Sequence, residues 1–156
     1  MTAVFARLAE VISAFALALW VGGLWTVGFV VAPTLFRMLD ERALAGTVAG
    51  ALFTQMAYIG LGCGAWLAAH RIAVHRAAAV RGAVLWILAA MLVLTALNEF
   101  GVSPVLAALR EQAGPGQVMD WAVRERFAGW HALSAGLYVA TAVLGAALAA
   151  LQARGR

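Results

Sequence analysis

Four long apolar stretches, separated by short charged runs, dominate the pattern of the chain. Val11 to Phe36 carries no charged side chain and has about the length a helix needs to cross the hydrocarbon core of a bilayer. The charged run Arg37, Asp40, Glu41 and Arg42 ends it. Three more stretches of similar length follow, at about 44–69, 82–100 and 127–151. Connections this short predict an all-α polytopic membrane protein, a single four-transmembrane-helix bundle over residues 1–156. The third stretch ends on Asn98, Glu99, Gly101, Ser103 and Pro104, then an amphipathic piece from Val105 to Gln112 and the turn Gly114-Pro115-Gly116. That sequence predicts an outer interfacial elbow between helices three and four. The segment 70–81, with three arginines and two histidines, reads as a solvated basic loop.

Small and polar residues inside the spans subdivide them. Gly22 and Gly23 in helix one, and the pairs Gly46/Gly50 and Gly60/Gly64 in helix two, are expected at helix contacts, where a missing side chain lets a neighbour approach. Pro33 is expected to kink the far end of helix one. Thr47, Thr54 and Tyr58 share one face of helix two, with Gln55 beside them, and that face is expected to look inward. In helix four, His131, Ser134, Tyr138 and Thr141 recur at spacings of three, four and three and make one polar stripe. An ionisable residue inside a span suggests a functional site by default, and a hydrogen-bonded structural histidine is the competing reading.

Composition and charge narrow the class. Hydrophobic residues make up 65% of the chain and charged ones 12%, about half the charged share of a soluble domain. The pI near 10.6 would suggest nucleic acid in a soluble protein, but the arginines lie at span edges, so orientation explains them and nucleic-acid binding is disfavoured. If both termini share one side, that side and the 70–81 segment hold six arginines against Glu10, and the opposite side five arginines against six acids. The positive-inside rule then puts the termini in the cytoplasm, with a bacterial inner membrane as the expected location. Arg7 and the following apolar run imitate a signal peptide, but cleavage near Ala18 would strand an apolar segment, so an uncleaved first span is expected. Cys63 has no partner cysteine in the chain and gives no redox information.

Four segments in order, "LWVGGLWTVGFVVAPTLF", "AGTVAGALF", "LNEFGVSPVLAALR" and "FAGWHALSAGLY", resemble the transmembrane protein 205-like family, also called domain of unknown function 4149. The resemblance implies a small four-helix membrane protein with no established activity. Its matching positions are Trp20, Gly22, Gly23, Pro33, Phe36, Gly46, Gly50, Phe53, Asn98, Pro104, Arg110, His131 and Ser134. Eukaryotic relatives are associated with resistance to platinum drugs. The tryptophan-glycine helix is also similar to those of copper resistance D-type proteins and small haem-linked protoporphyrinogen oxidases. Those two types tend to carry a histidine in helix one, where this chain has Ser13 and Glu10.

Three function classes stay open. The first is binding or transport of a metal ion or small molecule at an outer polar site built from His131, Ser134, Asn98, Glu99, Arg110 and Tyr138. The metal candidates there are His131, Glu99, Met38 and Met119, without the clustered sulfur spacing that copper(I) favours. The second is an enzyme, which is disfavoured. His70 and His131 lie at opposite membrane faces, too far apart for one haem, and Ser134 with His131 has no orienting third group, so no catalytic residue and no cofactor is assigned. The third is an accessory protein that packs against a second copy or another membrane protein through its small-residue faces, with the lipid bilayer as the common partner.

Overall fold

The computed structural model describes residues 2–112 and 120–154, and these form an all-α membrane bundle. In chain order the elements are α1 (Thr2–Thr26), a π turn (Val27–Val31), α2 (Ala32–Met38), α3 (Arg42–His75), a 3-10 helix (Arg76–Arg81), α4 (Ala83–Ala96), a second π turn (Leu97–Val102), α5 (Ser103–Gln112) and α6 (Trp121–Arg154). They join into four membrane-length rods, Ala3–Met38, Arg42–Arg81, Ala83–Gln112 and Trp121–Ala153. At 1.5 Å per residue the first rod is about 54 Å long, so it extends beyond a hydrocarbon core of about 30 Å. Each rod packs on its neighbours in sequence, and α1 also packs on α6, which closes the ring.

Two expectations about the connections change. Residues 70–75 are the last turn and a half of α3, and 76–81 continue as a 3-10 helix, so the basic segment is helical where a loop was expected. Arg76 has a positive φ of 46°, which marks the change of direction. At the other end, the third rod runs through Pro104 into amphipathic α5, which buries Leu106 and Leu109. The expected turn at Gly114-Pro115-Gly116 lies outside the described residues, as does Met119.

Both span prolines are accommodated in the same way. A proline inside an α-helix has no N–H to donate, and its ring crowds the carbonyl four residues back. Directly before each proline the helix widens by a residue: Ala32 N–H donates to Val27 O and Ser103 N–H to Asn98 O, both five residues back. Thr34 donates its hydroxyl to Val30 O, four residues back on its own rod, at 2.7 Å. Prolines 33 and 104 are the sequence signal for these turns, at each of which the helix register changes.

The waist of the bundle is solid. Trp20 is fully buried among Leu24, Met56, Leu88, Met91 and Leu148. Its indole lies over Gly60 and Gly64, where a Cβ would collide with the ring; at Gly64 the ring and Leu92 Cδ2 would both be 2.6 Å away. In lipid, association rests on close dispersion contact rather than on exclusion of water, and two glycines one turn apart give a large aromatic that contact. Gly23 likewise makes room for Met56, at 2.6 Å from a Cβ. Gly22 faces open space, with nothing within 4 Å of a Cβ. Outward-facing apolar side chains such as Phe15, Trp86, Val93 and Val143 form the surface expected against lipid.

The packing of Trp20 also fixes the rotation of α3. Its buried stripe is Ala45, Ala49, Met56, Gly60, Gly64 and Leu67. Thr47 and Tyr58 each lie two residues from stripe members, about 200° around the helix, and both face outward with Gln55. The inward face expected for this group therefore fails except at half-buried Thr54. Thr47 satisfies its hydroxyl on its own helix, donating to Ala43 O at 3.0 Å, and Tyr58 packs edge-on against Phe100.

Candidate functional site

Beyond the waist, towards the α5 end, the rods enclose a cavity of about 300 Å³. Both π turns border it. The first contributes Gly28 and Phe29, the second Asn98 and Glu99, so the two places where the ladder changes register lie on the walls of one site. Such wide turns occur frequently at functional sites. Most of the wall is apolar, from Leu24, Ala32, Phe36, Phe53, Met56, Leu94 and Leu106. The polar groups are Thr95, Asn98, Glu99, Ser103, Arg110, His131, Ser134, Tyr138 and Thr141.

Four of these form the stripe of α6. Tyr138 is the anchor: its hydroxyl donates to Leu24 O at 2.6 Å, its ring packs edge-on against Phe53 at 4.9 Å, and it occupies the space left by Gly28. Thr141 donates to Leu137 O on its own helix. Ser134 is half-buried on the wall, and His131 stands at the rim, exposed and stacked on Phe127 at 5.9 Å with the rings 6° from parallel. Tyr138→Phe removes one hydrogen bond while keeping the ring, so it is expected to lower stability by about 0.5–1.5 kcal/mol, measured by thermal unfolding in detergent.

The third rod supplies the acceptors. Glu99 is half-buried, and Thr54 donates its hydroxyl to Oε2 at 3.4 Å, long for such a bond, so the carboxylate keeps most of its accepting capacity. Beside it, Asn98 Oδ1 is buried with no hydrogen-bond partner among the described residues. Arg110 is exposed, with its guanidinium 5.5 Å above the Phe127 ring and beside Gly50, where a Cβ would lie 3.4 Å from Nη1. Gly50 thus gives room to the arginine, and Gly46 meets only Phe36 Cζ at 3.9 Å. Arg110 and His131, both exposed, each lie against the Phe127 ring at the rim.

Phe29 and Phe36 on the first rod, and Ala135 and Val139 on α6, line the cavity and are exposed, so this is the side on which an apolar molecule dissolved in the bilayer would meet it.

The six residues expected at the polar site, His131, Ser134, Asn98, Glu99, Arg110 and Tyr138, all border this cavity. Of the expected metal candidates, Met38 is 77% exposed and off the wall, and among the described residues no three His, Cys, Asp or Glu side chains cluster as a metal site. Sequence reasoning did not place Thr54 against Glu99, nor Phe29 and Phe53 on the wall; no local spacing carries these contacts, because they depend on how the rods rotate. The family model described as "Domain of unknown function (DUF4149)" matches residues 15–115, which include both π turns and end before α6. No curated protein and no solved structure matches the chain.

Proposed function

We propose that this chain, which belongs to the DUF4149 family by that match over most of its length, is a membrane binding protein for small lipophilic molecules with a hydrogen-bond-donating head, best an amine. The observation that carries the reading is the pairing of a largely apolar cavity, whose lining residues on the first rod and α6 are exposed, with an under-used acceptor on its wall, Glu99. A half-buried carboxylate that accepts one long hydrogen bond among the described residues gains from an ammonium. A metal ion fits less well, since among the described residues no three His, Cys, Asp or Glu side chains cluster to hold one. The charge balance orients the termini to the cytoplasm and the cavity to the outer half of the membrane.

Octylamine, octanol and octanoate, added to the protein in neutral nanodiscs, share a chain and differ in the head. The amine is expected to raise the unfolding temperature most, the alcohol less and the carboxylate least. Equal shifts, or a larger one with octanoate, would remove the reading. An accessory role through helix packing is the second reading, favoured by the exposed small residues Gly22 and Gly62, beside which a Cβ would meet nothing within 4 Å. It expects an oligomer that survives detergent and no difference between the three heads.

A further inference from the structure

A second polar cavity, of about 520 Å³, lies at the opposite end of the bundle, beyond the Trp20 waist, and all four rods contribute to it. Its polar lining consists of Glu10 and Ser13 from α1, His70, Arg71 and His75 from α3, and Gln152 from α6. We propose that this cup binds a phosphate group, either as the headgroup of an anionic lipid or as free phosphate.

The balance of donors and acceptors points to an anion. Three of the six polar side chains are basic and one is acidic. Arg71 is only half-buried, yet its Nε is buried with no acceptor among the described residues, so the guanidinium is poorly satisfied by its own chain. His70 is held in place. Ser13 gives its single hydroxyl proton to Ala9 O at 2.8 Å and accepts from Trp66 Nε1 at 3.1 Å, so His70 Nδ1, 3.1 Å from the same oxygen, is the donor of that contact. Trp66 stacks on the imidazole with the rings 7° from parallel. A histidine fixed through Nδ1 keeps Nε2 for a ligand, and once protonated it donates there. The apolar part of the wall, Leu67, Val74, Val84, Leu88 and Leu151, suits the glycerol and first acyl carbons of a lipid. Basic pockets between spanning helices are a general way of recognising such headgroups.

The test uses the whole chain in nanodiscs of equal phosphatidylglycerol and phosphatidylcholine, followed by mild delipidation and native mass spectrometry. Phosphatidylglycerol is expected to be retained at least fivefold over phosphatidylcholine. Arg71→Gln and His75→Ala are each expected to cut that preference at least threefold, whereas Arg81→Gln, which removes the same charge off the cup, leaves it unchanged. His75 is exposed at the end of α3, so His75→Ala still decides if Arg71→Gln fails to fold. In lipid-free neutral detergent, stabilisation by inorganic phosphate as large as that by phosphatidylglycerol assigns the site to free phosphate, and stabilisation by the lipid alone assigns it to the headgroup. Equal lipid retention with no phosphate effect, or equal losses in Arg81→Gln and the cup variants, would overturn the site.

Discussion

Gly64→Leu is expected to be among the most damaging single substitutions in the bundle. A Cβ there already lies 2.6 Å from both the Trp20 ring and Leu92, and a leucine adds three more carbons where those two side chains leave no room. Trp20 cannot yield by a change of rotamer, since it is fully buried and α1 would have to move away from α3. Overpacking typically costs about 1–3 kcal/mol, and this site should reach or exceed about 3 kcal/mol because the first carbon already requires a backbone shift. Gly22→Leu on the exposed face of α1 is the control away from that contact: its Cβ meets nothing within 4 Å, so the change should stay within about 0.5 kcal/mol. Thermal unfolding of both in one detergent separates them. Similar losses would mean that Trp20 does not seat on α3 as described.

The second large effect is expected from Glu99→Gln. The amide keeps the shape and can still meet Thr54, but it offers no charge to an ammonium. Hydrogen bonds to charged groups contribute about 1.5–3 kcal/mol, which corresponds to roughly 10- to 100-fold in affinity. The variant is therefore expected to lose octylamine binding by about that factor while octanol binding changes far less. Stability should hold, because among the described residues the only hydrogen bond to this carboxylate is the 3.4 Å contact from Thr54. A uniform loss for both probes would instead indicate that Glu99 shapes the cavity without reading the head.

How much of this was legible in the sequence depends on the range of the interaction. The four spans follow from uninterrupted apolar length, and the stripe His131, Ser134, Tyr138 and Thr141 from helical spacing, since both are properties of a single helix. The expected inward face Thr47, Thr54 and Tyr58 fails because spacing defines a face without saying which neighbour it meets; the seating of Trp20 on Gly60 and Gly64 decides that. Prolines 33 and 104 were visible, but the register change they impose, and its placement of Gly28 opposite Tyr138 and of Asn98 beside Glu99 on one wall, depend on tertiary packing. The basic segment 70–81 read as a loop because its charges suggest water. Helix α3 extends past the hydrocarbon region instead, and its end carries His70 to Ser13 on the first rod.

The most direct measurement of the central claim is where a lipophilic amine sits. A diazirine-bearing alkylamine, photolysed with the protein in nanodiscs and mapped by peptide mass spectrometry, should label Phe36, Phe53 and Leu106, which line the cavity on three different rods or segments. An excess of octylamine should suppress that labelling and an excess of octanoate should not. Labelling spread over outward-facing positions such as Phe15, Trp86 and Val143, unaffected by octylamine, would contradict the account.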